Sequence, residues 1–192
     1  MRIAIFISGT GSNALNLIRH FQNHEIIRIA LIFSTKPNEI IENESRKRNI
    51  EYIVSDNNGQ WYELAIKNCE ILKIDFIVLA GFLKKIPSDL INKFPNRIVN
   101  IHPSLLPKFG GKGMYGKFVH EAVVSAGEKK SGITIHFVNE EFDEGEIIAQ
   151  FETELTEKDN PQSVADKIHK LEMKYFPLVV EELLSNKNAP HL

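Results

Sequence analysis

The 192-residue chain has one cysteine, one tryptophan and a formal net charge of only −2. Its single thiol, Cys69, cannot form an internal disulfide and is expected to be a small core residue of a helix. No apolar run approaches the roughly 20 residues needed to span a bilayer, and the amino terminus lacks the pattern of a signal peptide. Without a general positive field, long nucleic acid is not an expected partner. These absences favour a cytoplasmic globular protein with neither a membrane nor a nucleic-acid partner.

The residues that are abundant predict an α/β fold. Hydrophobic residues make up 43% of the chain and charged residues 25%, which is typical of one globular domain. In the first two thirds, short β-rich apolar runs alternate with amphipathic segments, the pattern of βαβ units and a parallel sheet. Predicted strands cover 2–7, 28–33, 52–54, 76–80 and 98–100, and predicted helices cover 13–24, 38–49, 62–72 and 87–93.

The last third predicts a different arrangement. A helix over 118–126 is followed by strands over 132–138 and 146–155, which we expect to add to the sheet in antiparallel fashion. Residues 161–185 carry apolar side chains at helical spacing and predict a long carboxyl-terminal helix, with Pro177 as a candidate kink. No repeat or linker divides the chain, so we expect a single domain over 1–192.

An amide and an imidazole follow the fifth apolar run. Asn100 and His102 are two residues apart on a strand and therefore point to the same face, while Ile101 points to the other. Pro103 ends the strand because it cannot donate to a ladder. The pair is thus expected at the carboxyl end of a strand, where open α/β sheets hold ligands, and such donors suit a developing oxyanion. A capping or turn role is the structural alternative.

A glycine-rich turn joins the first strand to the first helix. Glycine permits close backbone approach, and the amides of a first helical turn attract an anion, so residues 8–14 predict a phosphate cradle. Ser12 and Asn13 would add donors or cap the helix. The spacing also fits the dinucleotide fingerprint, but the second strand ends without the ribose-binding acid. Lys36 there leaves an NADP site open, although a phosphomonoester fits better; a tight turn with a good cap is the structural alternative.

An acidic loop precedes the last predicted strand. Asp143 lies two residues before Gly145, so its carboxylate is a candidate for an inward position, with Glu140, Glu141 and Glu144 in solvent. A buried carboxylate beside an imidazole raises the imidazole pKa and holds its orientation. Periodicity alone does not bring Asp143 to His102.

Four motifs together resemble the folate-dependent glycinamide ribonucleotide formyltransferases of purine biosynthesis, over nearly the whole chain. The motifs are residues 7–13 (ISGTGSN), 79–83 (LAGFL), 100–108 (NIHPSLLPK) and 132–138 (GITIHFV) leading to Asp143. The resemblance implies a single-domain, Rossmann-like three-layer formyltransferase fold. Its mostly parallel sheet would have late antiparallel strands and a long C-terminal helix. It also implies a nucleotide- and phosphate-binding half over about 1–100 and a folate-binding half over about 101–192.

The implied activity is formyl transfer from 10-formyltetrahydrofolate, as co-substrate and without a metal, to the amine of N1-(5-phospho-D-ribosyl)glycinamide. Asn100 and a protonated His102 would stabilise the oxyanion, and Asp143 would assist proton movement through water. Gly11, Ser12 and Asn13 would bind the substrate phosphate. Glu172 matches a position that contacts the nucleotide substrate, although from the sequence alone it is a helix-surface acid. The residues expected along the folate are Leu83, Lys84, Lys85, Ile86, Glu140 and Glu141.

Several alternatives stay open. A 10-formyltetrahydrofolate hydrolase would use water as acceptor and has no need of a phosphate cradle. Methionyl-tRNA formyltransferases share the Asn-x-His logic but add an RNA-binding domain for which this length leaves no room. A non-catalytic nucleotide-binding module is the third reading. We expect a monomer or homodimer, and His136 is either a family feature or a structural histidine.

Overall fold

The computed structural model describes residues 1–55 and 59–185. Thirteen elements follow one another along these residues. The strands are β1 (Arg2–Ile7), β2 (Arg28–Ser34), β3 (Glu51–Val54), β4 (Phe76–Leu79), β5 (Ile98–His102), β6 (Lys130–Phe137) and β7 (Ile147–Glu154). The helices are α1 (Ser12–Phe21), α2 (Glu39–Lys47), α3 (Trp61–Ile71), α4 (Ser88–Lys93), α5 (Lys117–Ser125) and α6 (Pro161–Ser185).

The strands form one sheet in the order β3-β2-β1-β4-β5-β6-β7. Pairing is parallel from β3 through β5 and antiparallel from β5 to β7, so the predicted late antiparallel strands are confirmed. The chain runs from β1 outward to β3 and then returns to β4 on the other side of β1. Strand order therefore reverses between β1 and β4, and the crevice outside their carboxyl ends is where such sheets bind ligands.

Helices cover both faces of the sheet, which makes three layers. Along β1, Ile3, Ile5 and Ile7 enter a core shared with α1 and α6, while Ala4 and Phe6 enter a second core shared with α3 and α4. Alternation of strand side chains produces the two cores. Because both faces are covered, β1 is apolar along almost its whole length.

Local capping fixes the starts of two helices, of which α6 lines the cavity described below. Asn38 begins α2 by accepting a 3.1 Å hydrogen bond from the Ile41 amide. Before α6, Asn160 and Ser163 bond reciprocally, each side chain accepting from the other's backbone amide at 3.0 Å. Pro161 then occupies the first turn, where its missing N–H costs nothing. Helix α6 continues through Pro177 to Ser185.

Several predicted ends differ from the structure, and two of them have a clear physical cause. Helix α1 stops at Phe21 rather than at residue 24, because the ring of His24 accepts from the amides of Ile26 and Ile27 and holds a turn there. Strand β5 continues to His102, two residues beyond the prediction, because His102 pairs with Thr134 of β6. That pairing is tertiary and leaves no local signal.

Cys69 is 1% exposed on α3, and burial raises its pKa to about 12. Its predicted place in the core is therefore confirmed. None of the helices within 1–55 and 59–185 combines the length and apolar character required to span a bilayer.

Candidate active site

One cavity of about 710 Å³ lies at the carboxyl ends of β1, β4 and β5, as the strand order predicts. The turn after β1, the turn after β4 and the end of β5 each contribute lining residues. The loop before α5, the loop between β6 and β7, and one side of α6 complete the wall. This volume lies in the range of ligand pockets.

The turn after β1 forms one end of the cavity. Gly11 stands at the cap position of α1 with φ of 78°, and no side chain caps the helix. Of the two roles expected of Ser12 and Asn13, donor or cap, the capping role is not observed: the left-handed Gly11 turn begins the helix and leaves its first amides open to the cavity. The side-chain amide of Asn38 holds this turn by donating to the carbonyls of Gly9 and Thr10, at 3.3 and 3.0 Å.

Glu172 of α6 meets this end of the cavity. Asn13, which is 8% exposed, donates a 3.0 Å hydrogen bond from Nδ2 to Glu172 Oε2. The Glu172 side chain is 16% exposed, so it is not the solvated helix-surface acid that the sequence alone indicated. Burial raises the pKa of Glu172, while the Asn13 amide and His169, whose Nδ1 lies 3.7 Å from Oε2, oppose the rise.

Asn100, His102 and Asp143 come together at the other end. The same-face prediction for the two β5 residues is confirmed, since both side chains approach Asp143 while Ile101 belongs to the core. Asp143 arrives from the β6–β7 loop with its side chain 11% exposed, and its Oδ2 lies 3.4 Å from His102 Nδ1. Its Oδ1 lies 3.5 Å from Asn100 Nδ2. The inward position of Asp143 is confirmed.

His102 is held from both ring nitrogens. Its Nε2 lies 2.8 Å from the Phe109 carbonyl, which can only accept, so Nε2 carries a proton. Nδ1 faces the Asp143 carboxylate, an arrangement that suits a doubly protonated ring. Burial nevertheless lowers the pKa of His102, and Asp143 and the Phe109 carbonyl only partly oppose it. The Asp143 carboxylate acts to raise this pKa, as expected, but in the free protein desolvation is the larger effect and the net change is downward.

Asp143 is ionised through contacts that outweigh its burial. Burial acts to raise its pKa, but His136, His102 and the Gly111 amide bring that pKa below the ordinary value. The Gly111 N–H donates to Oδ2 at 2.9 Å. Asp143 itself has φ of 58°, so the backbone adopts a rarely used conformation to turn this carboxylate inward.

His136 joins the same network, a contact that the sequence left undecided. Its Nδ1 lies 2.8 Å from the Phe137 carbonyl, so Nδ1 donates and Nε2 is free to accept from Asn100 Nδ2 at 3.1 Å. The register that pairs Asn100 with His136 puts them together. From the sequence, this contact could have been predicted only by pairing the 132–138 strand antiparallel to β5 in the correct register.

Only some of the residues expected along the folate lie at the cavity. Leu83 lines the cavity, and its amide donates to Ser8 Oγ at 3.1 Å. Ile86 is core, 4% exposed, and Lys85 and Glu141 form a surface pair at 3.8 Å. Lys84 and Glu140 also lie beyond the cavity's lining, as does Lys36. A smaller adjoining cavity of about 400 Å³ extends from Asp143 beside Leu106, Phe142 and Ile147.

Among the residues that the structure describes, no group of three or more His, Cys, Asp or Glu side chains is arranged to hold a metal ion. The arrangement instead offers helix amides for an anion at one end, and an amide, an imidazole and a carboxylate at the other. Such a set can bind a phosphorylated compound and stabilise an oxyanion.

Comparison with known proteins agrees with this geometry. The family model described as formyl transferase matches residues 1–180. The chain is similar to the chloroplastic phosphoribosylglycinamide formyltransferase of Arabidopsis thaliana, at 35% identity over 210 residues, covering 98% of this chain and 72% of the relative. The Bacillus subtilis phosphoribosylglycinamide formyltransferase is 32% identical over 193 residues, covering 97% and 96%. The crystal structure of that enzyme from Bacillus halodurans superposes with a TM-score of 0.88 at 32% identity, with both chains fully covered.

Proposed function

From the premise that the chain belongs to the formyl transferase family, we propose that it transfers the formyl group of 10-formyltetrahydrofolate to the amine of N1-(5-phospho-D-ribosyl)glycinamide. The products are the N2-formyl nucleotide and tetrahydrofolate, in purine biosynthesis. The observation that supports this most strongly is the single cavity, which is lined both by the start of α1 after β1 and by Asn100 and His102 on β5, two strands away in the sheet. An acceptor with a phosphate at one end and an amine at the other fits between them.

The nucleotide would bind with its phosphate on the amides of Gly11, Ser12 and Asn13. Helix amides and the helix dipole favour this anion without a basic side chain. Glu172, fixed by the Asn13 amide, would accept from the ribose hydroxyls next along the substrate. This orientation directs the glycinamide amine toward Asn100 and His102.

Formyl transfer requires stabilisation of a negative oxygen and the transfer of one proton. The uncharged amine attacks the formyl carbon, a C–N bond forms, and the carbonyl oxygen becomes an oxyanion. One well-placed donor to such an oxygen contributes about 3–4 kcal/mol. Asn100 and His102 would stabilise it. Collapse re-forms the carbonyl and breaks the bond to the folate nitrogen, which receives the proton lost by the amine. Asp143 would pass that proton through water.

His102 is not free to donate in the ligand-free protein, because Nε2 is bonded to the Phe109 carbonyl and Nδ1 faces Asp143. We propose that substrate binding moves the loop after Pro107, so that Nε2 is released toward the oxyanion. The negative oxygen would then favour the protonated ring, which burial disfavours beforehand. The oxyanion thereby replaces the Phe109 carbonyl as the acceptor of the Nε2 proton.

The folate would occupy the adjoining cavity and the reaction end of the main one. Its pterin edge would meet backbone groups near Leu83 and the 140–143 loop, with Phe142 as an apolar wall. In this proposal Lys84, Lys85, Glu140 and Glu141 act at the rim and Ile86 acts by packing beneath it. Residues 1–100 would supply most of the phosphate site, and residues 101–192, of which 186–192 lie outside the described residues, most of the folate site.

A hydrolase would use the same folate chemistry with water as acceptor. A water molecule makes no use of the cradle, or of the Asn13–Glu172 contact that borders it. A binding module without catalysis would make no use of Asn100, His102 and Asp143 together. The transferase uses both ends of the cavity.

The test is folate product formation by the purified chain with 10-formyltetrahydrofolate and a metal chelator, with and without glycinamide ribonucleotide. We expect turnover only with the acceptor. His102→Ala should abolish it, whereas His24→Ala, a histidine away from the cavity, should not. Turnover without acceptor would establish the hydrolase, and binding of both substrates without turnover would establish the binding module.

We further propose a monomer or homodimer in the cytoplasm, with small molecules as its only ligands. The formal net charge of −2 supports this by offering no general attraction to nucleic acid or anionic membranes. Light scattering after size exclusion measures the oligomeric state directly, and a trimer or larger assembly would contradict it.

A further inference from the structure

His120 is a buried histidine whose contacts the proposed reaction does not yet explain. It lies on α5 with 8% of its surface exposed, and it lines the same cavity as Gly11 and His102. Its Nδ1 is shut off from water and has no hydrogen-bond partner among the described residues. The ring is therefore not held in one tautomer by a protein group, and can present either an N–H or a lone pair.

A buried polar atom without a partner costs free energy in the free protein, and an apolar side chain of similar size would avoid that cost. His102 and His136, by contrast, have partners for their ring nitrogens. Because Nδ1 of His120 is shut off from water, a ligand in the cavity would reach this ring through Nε2, which also has no hydrogen-bond partner among the described residues. An imidazole without a protein partner at the wall of a ligand cavity indicates that its partner arrives with the ligand.

The position and charge of His120 indicate which part of the ligand it meets. Burial lowers its pKa, and His102 lowers it further, so the ring is neutral at neutral pH and lies on the reaction side of the cavity. The phosphate is accounted for by the cradle and the ribose by Glu172. What remains between Glu172 and His102 is the glycinamide, whose amide and amine offer both donors and an acceptor.

We propose that His120 is a substrate-binding residue that hydrogen-bonds the glycinamide portion of the nucleotide. This inference rests on the proposed function, because it takes glycinamide ribonucleotide as the ligand. A neutral ring suits the task, since it neither repels an ammonium group nor competes with His102 for the developing charge. This hydrogen bond contributes to recognition of the nucleotide substrate, and it affects the affinity for the nucleotide more than the affinity for the folate.

The experiment compares His120→Leu and His120→Gln with Glu121→Gln, a control on the exposed side of α5. Calorimetric titration with glycinamide ribonucleotide alone reads binding without turnover. We expect His120→Leu to weaken binding about tenfold, as loss of one hydrogen bond predicts, and to leave KM for the folate within about twofold. The glutamine variant should recover most of the affinity, and the control should match the parent.

Thermal unfolding supplies a readout that a structural role would move the other way. Removing an unsatisfied buried nitrogen should raise the Tm of the ligand-free His120→Leu protein while reducing the Tm gain from the nucleotide. His120→Met serves as a second apolar variant if leucine prevents folding. Unchanged nucleotide affinity in the apolar variants, or equal losses for both substrates with a lower Tm, would overturn the proposal. Nucleotide binding without turnover in the parent would reject the transferase but leave the His120 contact testable.

Discussion

The side-chain amide of Asn13 donates a 3.0 Å hydrogen bond to the carboxylate of Glu172, although 159 positions separate the two residues in the chain. The bond joins the first turn of α1 to the middle of α6, so this end of the cavity depends on both ends of the sequence. Because the carboxylate is largely buried, we expect the stability of the protein to depend on pH through Glu172.

Replacing Glu172 with glutamine should change how stability depends on pH. The pKa of Glu172 is raised by burial above its ordinary value of 4.5, so the folded protein holds that proton more tightly than the unfolded chain does. The associated stability is present below pH 4.5 and is lost as pH rises through the raised pKa. Glu172→Gln lacks this loss and should gain Tm relative to the parent from pH 4 to pH 8.

The remaining carboxylates are common to both proteins and cancel in that comparison. Glu121→Gln, which neutralises an exposed acid, is the control and should give a constant offset. Parallel Tm curves for Glu172→Gln and its parent would show that the Glu172 pKa is not raised.

Gly11→Ala should destabilise the fold and weaken binding of the nucleotide substrate. A Cβ at this position would lie 2.6 Å from Ile41 Cδ1, a buried side chain with little room to move, and φ is 78°. Left-handed backbone alone costs about 1–2 kcal/mol for a residue with a Cβ. Urea unfolding measures the loss, and KM for the nucleotide measures distortion of the cradle.

Gly9→Ala is the matched variant for this loop. Its Cβ would meet nothing within 4 Å, so stability should change by no more than about 0.5 kcal/mol. Equal effects of the two substitutions would mean that Gly11 conformation is not what shapes the cradle.

Asp143→Asn should lower turnover and shift its pH dependence. Burial lowers the pKa of His102, and the Asp143 charge opposes that effect. Without this charge the pKa falls further, so the protonated ring that we propose stabilises the oxyanion is lost at a lower pH. We expect the alkaline decline of kcat to begin at lower pH, together with a loss of about 100-fold or more at the optimum. An unshifted decline, recorded over pH 5 to 9, would separate His102 protonation from the rate.

The sheet could be predicted from the sequence because strands buried on both faces appear as continuous apolar runs. For β1 the predicted and observed ends agree, and for α6 they agree as well. The end of α1 could not be predicted, since the ring of His24 holds the following turn through two backbone amides. Local propensity does not report such a contact.

The site was predictable only in part for a related reason. Alternation along β5 places Asn100 and His102 on one face, and it needs no tertiary information. The approach of Asp143 depends on a loop conformation with positive φ, and the Phe109 carbonyl and Gly111 amide are backbone groups without a sequence signature. Side-chain chemistry was visible in the sequence, whereas the backbone groups that orient it were not.

The loop between Pro107 and α5 connects these backbone groups to the reaction. Phe109 has φ of 57° and presents its carbonyl to His102 Nε2, while the Gly111 amide donates to Asp143. The same short segment therefore hydrogen-bonds both His102 and Asp143 in the ligand-free protein. If Nε2 turns to the oxyanion, this segment has to rearrange and then order around the ligands.

Hydrogen exchange should detect that rearrangement. We expect amides of residues 110–116 to exchange more slowly when glycinamide ribonucleotide and a non-reactive folate analogue are both bound, with amides of β3, far from the cavity, unchanged. Asp143→Ala removes the acceptor of the Gly111 amide, so its free protein should exchange faster in this loop. Identical exchange with and without ligands would mean that the Phe109 carbonyl keeps the His102 proton throughout, and the oxyanion would then depend on Asn100 alone.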